Sequence, residues 1–402
     1  MLNLKKMILN KKLLFACLIA TGLMACSSTE DEIDETEPVE LTEIKPLFTP
    51  EVLWDGSGEG VGDYFSRLKT QVAYGKVFSA SREGSVYAHD SATGKQIWQV
   101  DLREKNEESG FFTSLKPALI SGGPVTGINK VFVGSENGKV FALDVETGEV
   151  SWQAKVKGEI ISAPAIDAGT LVVNTVSGVL KAFNASNGEV QWQIEQDVPP
   201  LTLRGISAPA IAAGGVVVGA SDGSLTVYIL ADGQQGWTAE VGEATGSTEL
   251  ERVIDIDSQP VIYGDIVYAV SARGHLVAIE LRTGRMLWKR QYSSYRQMSV
   301  SGNTIFLTDI KGHIYAIDRA NGLERWSQLA FTNRGVTGPV ALKNHIVVGD
   351  FEGYLHWLDQ ETGEIVSRHH VDGSGIHSTP TVAEEILFVQ SRDGDIQAIK
   401  TP

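Results

Sequence analysis

The sequence predicts an all-β fold assembled from repeated four-stranded antiparallel units, and three observations carry that prediction. First, one phrase recurs down the chain, clearest as Lys130-Val-Phe-Val-Gly134, Asn137-Gly138, Val140-Phe-Ala-Leu-Asp144, Thr147-Gly148 and Trp152. Second, a turn glycine in each of seven units (Gly84, Gly138, Gly178, Gly223, Gly274, Gly312 and Gly353) is followed ten residues later by another (Gly94, Gly148, Gly188, Gly233, Gly284, Gly322 and Gly363). An interval that never varies marks two tight turns flanking one strand of fixed length. Third, no stretch beyond the N-terminal segment sustains a helical period, whereas short apolar or alternating runs bounded by glycine or proline recur throughout. With Gly394 the first-turn glycines number eight, at spacings of 54, 40, 45, 51, 38, 41 and 41. Four-stranded units of that length, repeated around an axis, are the blades of an eight-bladed β-propeller.

Composition supports a folded body and narrows its partners. Of 402 residues, 42% are hydrophobic and 21% charged, too apolar a balance for a disordered chain. A formal net charge of -16 opposes a phosphate backbone, so nucleic acid is not an expected partner. The two cysteines, Cys17 and Cys26, both lie near the N-terminus. The body therefore has no thiol for disulfide, metal or nucleophilic chemistry, which suits an oxidising compartment.

From the N-terminus, Lys5, Lys6, Lys11 and Lys12 precede the apolar run from Leu13 to Ala20, the pattern of a secretory signal over 1–25. From Ser27 to Lys45 eight acids accompany one base, so 26–45 reads as a self-repelling, extended spacer. The folded domain is expected over 46–402.

Within it, Val52-Leu53-Trp54-Asp55-Gly56 has strand character and a tryptophan, while the last unit stops at Pro402 one strand short. The N-terminal strand is therefore expected to complete the eighth blade and close the ring, removing exposed edges. Each unit then runs as a short strand often opened by proline (Ser162-Ala-Pro164, Ser207-Ala-Pro209, Ser258-Gln-Pro260, Ser378-Thr-Pro380), two apolar strands joined at a glycine turn, and a tryptophan strand. Trp98, Trp152, Trp192, Trp237, Trp288 and Trp326 each stand four residues after a second-turn glycine and are expected to wedge between blades. The seventh unit has Ser367 there. The periodic aspartates Asp90, Asp144, Asp318 and Asp359 are expected to cap turns rather than catalyse. His369, His370 and His377 lack the spacing of a metal site and are read as surface groups, and no cofactor is expected. Irregular unit spacing enlarges the loops around 101–116, with Phe111-Phe112, around 240–257, and at Pro199-Pro200-Leu201-Thr-Leu203-Arg204-Gly205. Function is expected on such loops.

Three resemblances follow from these residues. Leu23-Met24-Ala25-Cys26 resembles the lipobox of bacterial lipoproteins, which implies cleavage before Cys26 and its acylation. Ser27 after it implies sorting to the outer membrane, with the body facing the periplasm. Ala142-Leu-Asp144-Val-Glu-Thr147-Gly148 through Trp152 resembles the pyrroloquinoline-quinone (PQQ) propeller repeat, although Val227 and Ile229 depart from it. That repeat is shared by quinone enzymes and by non-enzymes. The lipoprotein signal, the eight blades, the Leu201-Thr-Leu203-Arg204 loop and Asp255-Ile-Asp257 together are similar to the BamB family, propeller lipoproteins of the outer-membrane β-barrel assembly machinery. This resemblance implies a non-enzymatic scaffold that binds the POTRA domains of the central barrel subunit through Leu201, Leu203, Arg204, Asp255 and Asp257. Nascent outer-membrane proteins are a second candidate partner. The alternatives are a PQQ-dependent periplasmic oxidoreductase and a binding module for another envelope ligand such as a polysaccharide.

Overall fold

The computed structural model describes residues 37–62, 64, 66–105, 115–199, 201–202, 205–243, 248 and 253–402. The signal segment, Cys26 and the Phe111-Phe112 pair lie outside them. Pro38–Pro402 forms a compact unit of eight four-stranded antiparallel sheets, a β-propeller. Seven blades follow the chain directly, over 71–101, 120–155, 165–195, 210–240, 261–291, 299–328 and 340–370. The eighth takes Thr381–Ala383, Ile386–Gln390 and Asp395–Lys400 from the C-terminus and Glu51–Ser57 from the N-terminus. Trp54 pairs with Ala398 and Ser57 with Asp395 in that join. The innermost strand of blade 8 lies beside that of blade 1, so the ring is closed.

The strands sort by depth. Second and third strands such as Lys76–Ala80 and Ser85–Asp90 are buried almost throughout, because each lies between two other strands and two neighbouring blades. Outer strands alternate, as in Val190–Glu195, where Trp192 is buried and its neighbours are exposed.

One contact repeats between blades and explains three motif positions together. The indole of each tryptophan lies over the second-turn glycine of the next blade: Trp98 over Gly148, Trp152 over Gly188, Trp192 over Gly233, Trp237 over Gly284, Trp288 over Gly322 and Trp326 over Gly363. A Cβ on any of these glycines would stand 2.6–2.9 Å from a ring atom. Their φ of 73° to 76° already disfavours other residues. Each Nε1 donates to a backbone carbonyl of that next blade, for example Trp98 to Val145 at 2.9 Å and Trp192 to Leu230 at 2.8 Å. Across its own sheet each ring faces a small residue, Ala88, Ala142, Ala182, Val227, Ala278 or Ala316, which leaves room for the indole. Trp54 repeats the arrangement on Gly94 and bonds Ser91 O at 2.9 Å, so the N-terminal strand supplies both the last strand and the last wedge.

The departure at Ser367 has a structural reason. Blade 8 ends its third strand at the C-terminus and has no second turn for a tryptophan of blade 7 to cover. Size is instead exchanged within blade 7: Trp357 stands where alanine or valine stands in the other blades, directly opposite Ser367. Trp357 is fully buried and donates to Thr401 Oγ1 at 2.9 Å, while Ser367 Oγ donates to Phe48 O at 2.8 Å.

Composition placed 38–45 in the spacer, yet those residues lie against the propeller. Val39 N donates to Thr332 O at 3.1 Å, Leu41 packs in the cluster of Phe331 and Val336, and Leu47 N donates to Val366 O at 2.8 Å. Apolar side chains interspersed among the acids decide the matter. Because closure runs through the N-terminal strand, deleting residues 46–58 is expected to lower the melting temperature of the whole domain in one transition. Unchanged melting would show that the ring does not need that strand.

Candidate partner-binding site

The expected loops are neighbours on one rim. The connection from blade 3 to blade 4 carries Leu201, and the connection from blade 4 to blade 5 carries Asp255 and Asp257. They are tied where they enter their blades. Ser207 Oγ donates to Ser258 O at 3.2 Å, and Gln259 Nε2 donates to Pro209 O at 2.9 Å. Leu203 and Arg204 lie outside the described residues. Leu201 is 48% exposed, an apolar side chain presented to solvent.

The two aspartates are not on the surface. Asp255 is 1% and Asp257 4% exposed. The intervening isoleucines explain the burial. Ile254 lies against Gly223 and Gly242, and Ile256 against Gly219, where no side chain competes for the space. The backbone is fixed as well, with Ile256 N donating to Ala220 O at 3.1 Å and Ala272 N donating to Asp255 O at 2.8 Å. Gly205 sits directly on the Asp257 carboxylate, with no room for a Cβ. The loop can therefore descend onto the aspartate only because residue 205 is glycine.

Asp257 has a partner that sequence reasoning missed. Arg67, from the connection between the N-terminal strand and blade 1, donates from Nη1 to Asp257 O at 2.7 Å and to Ile206 O at 3.3 Å. Its Nη2 lies 4.0 Å from the Asp257 carboxylate. Burial raises the pKa of Asp257 and Arg67 opposes that rise. Burial likewise lowers the pKa of Arg67, with Asp257 acting against it. Arg67 thus clamps both loops from a third direction. Nothing in the spacing could reveal this, since its partner is 190 residues away.

The family model described as "Outer membrane protein assembly factor BamB" matches residues 74–328 and 330–401. The chain belongs to the BamB family. The BamB of Shewanella oneidensis is 43% identical over 394 residues, covering 98% of this chain and 99% of that one. The BamB of Escherichia coli K12 is 39% identical over 392 residues, covering 97% and 99%. Among solved structures, BamB from Moraxella catarrhalis superposes with a TM-score of 0.77 at 26% identity, over 88% of this chain and all of that one. The quinohemoprotein alcohol dehydrogenase of Comamonas testosteroni superposes at 0.66 with 13% identity, covering 87% and 76%, a likeness of fold alone.

The periodic aspartates are committed to turns in this BamB-family propeller. Oδ1 of Asp144 accepts the backbone N–H of Glu146 at 2.9 Å and of Thr147 at 3.0 Å, and Asp90 and Asp359 do the same for their own turns. Asp318 accepts from Ala320 N at 3.0 Å. These bonds hold the Asp144 carboxyl below the usual range. Among the described residues no cluster of three or more His, Cys, Asp or Glu could hold a metal ion. His369 instead bonds Gln397 Oε1 at 2.9 Å, and His370 packs on Tyr354.

Proposed function

We propose that this chain is a non-enzymatic scaffold of outer-membrane protein assembly. Acylated Cys26 tethers it to the periplasmic face of the outer membrane. Leu201, Leu203 and Arg204, together with Asp255 and Asp257, form the site that binds the POTRA domains of the central barrel subunit. The observation that supports this reading is the joined pair of loops, one carrying exposed Leu201 and the other two buried aspartates, in a chain 43% identical to a relative named as an assembly factor. An exposed leucine offers a partner an apolar anchor, and an arginine offers a forked donor for a carboxylate. The buried aspartates act by holding the loop in shape, so they contribute to the partner site from below.

The test is a photoreactive residue in place of Leu201 in cells. It is expected to crosslink to the central barrel subunit, whereas the same residue at exposed Val150, on an outer strand of blade 2, is not. Equal capture from both positions would remove the assignment of this rim.

A further inference from the structure

A second feature of the same end of the propeller belongs to none of these roles. Where the innermost strands begin, their ends enclose a cavity of about 100 Å³ on the axis of the ring. Its lining concentrates positive charge in a chain whose formal net charge is -16. Arg67 and Lys69 enter from the connection leading into blade 1, Arg296 from that leading into blade 6, and His377 from that leading into blade 8. Asp257 is the carboxylate in the lining, and it already faces Arg67.

Lys69 is half-buried, and its Nζ makes one long hydrogen bond, 3.4 Å to Gln297 Oε1. Gln297 passes that contact on, its Nε2 donating to Gln259 Oε1 at 3.2 Å. Arg296 donates to Gly335 O at 3.2 Å and lies over the Tyr295 ring, which holds the guanidinium in place. Among the described residues, no carboxylate stands within ion-pair distance of Lys69 or Arg296. Removing an ammonium group from water without a counter-ion is costly. Desolvation lowers the pKa of Lys69; burial also lowers those of Arg67 and His377, with Arg296 adding to both as a like charge and Arg392 adding to that of His377.

We infer that the axial cavity is a binding site for one carboxylate, received between Lys69 and Arg296, either as a free small acid or as an acidic side chain on a docked segment. A single negative charge fits better than a double one, because Asp257 repels a dianion more strongly. Lys69 supplies free ammonium donors, and Arg296 supplies a planar fork matched to two carboxylate oxygens.

The experiment titrates the full chain, purified in detergent, with sodium acetate at constant ionic strength held by sodium chloride, reading the melting temperature. A ligand that binds only the folded state raises that temperature as its site fills. The expected result is a saturable rise for the wild type, with apparent affinity at least about tenfold weaker in both Lys69→Met and Arg296→Gln. In acetate-free buffer Lys69→Met should melt no lower than the wild type, since it removes an uncompensated charge. The peptides acetyl-Gly-Glu-Gly-amide and acetyl-Gly-Gln-Gly-amide separate the two sources. A rise with the glutamate peptide alone assigns the site to a side chain of a docked segment, and a rise with acetate but neither peptide assigns it to a free acid. No rise beyond chloride alone with either acetate or the glutamate peptide, or an undiminished rise in both variants, would overturn the inference. Loss of the acetate effect with Leu201 crosslinking intact would leave the partner rim standing, so the two readings fail separately.

Discussion

Replacing Trp192 by alanine is expected to lower the free energy of unfolding by about 3–5 kcal/mol, the range for deleting a large buried aromatic side chain. Three losses coincide at this position. The indole leaves a gap over Gly233, which has no side chain to fill it. Its Nε1 no longer satisfies Leu230 O, a 2.8 Å bond across the blade boundary. Ala182, opposite it in the sheet, is too small to collapse into the space. The cluster around it, with Val172, Val216, Val218 and Leu230, joins blade 3 to blade 4, so the change weakens an interface rather than one sheet. Val190, on the same strand but 54% exposed, supplies the control, and its alanine variant should differ from wild type by less than about 0.5 kcal/mol. Chemical denaturation of the three chains measures both values. Equal midpoints for the two variants would show that the wedge does not carry the interface.

Asp350→Ala is expected to cost a similar amount, about 3–5 kcal/mol, because it leaves the buried Arg334 with only the exposed carboxylate of Glu352 as counter-ion and removes the acceptor of His356 and two backbone N–H groups. Arg334 is 3% exposed and Asp350 0%. Arg334 donates to Asp350 Oδ2 from Nε at 3.0 Å and from Nη2 at 2.7 Å, and Nη2 also meets Glu352. His356 Nε2 lies 3.1 Å from the same oxygen, while Oδ1 accepts from Glu352 N and Tyr354 N, each at 3.0 Å. Burial alone would raise the pKa of Asp350, yet its bonds from His356 and Arg334 hold it below the usual value. The same arginine donates from Nη1 to Val39 O at 3.0 Å, so loosening it also frees the segment before the N-terminal strand. Faster proteolysis within residues 38–48 should therefore accompany the lost stability. A variant that is neither less stable nor more easily cleaved there would contradict this account of the cluster.

Blade number, turn positions and closure were legible in the sequence because each rests on a local rule repeated many times. The positive φ of the second turn favours glycine, the indole requires a glycine beneath it, and a small residue must face it. Trp357 and Ser367 broke the pattern together, and the exchange became intelligible only when strand pairing showed them to be opposite each other. The acidic run concealed the docking of this segment, because average charge outweighed the packing of Leu41 and the backbone bonds of Val39, both of which depend on tertiary contacts. Asp255 and Asp257 were legible as members of a family motif, but not as buried groups. Their depth follows from the isoleucines beside them meeting distant glycines, and from Arg67 crossing the ring to reach Asp257. The axial cavity was not legible at all, since its lining comes from separate connections far apart in the chain.

The measurement that tests the central claim most directly is the affinity of the full chain, in detergent, for the isolated POTRA domains of the central barrel subunit. Wild type is compared with Leu203→Ala and Arg204→Glu after all three are shown to melt alike. The account predicts that wild type binds and that each variant loses about 2 kcal/mol or more, roughly a 30-fold weakening. Failure of the wild type to bind folded POTRA domains, or variants that bind as tightly as wild type, would contradict it.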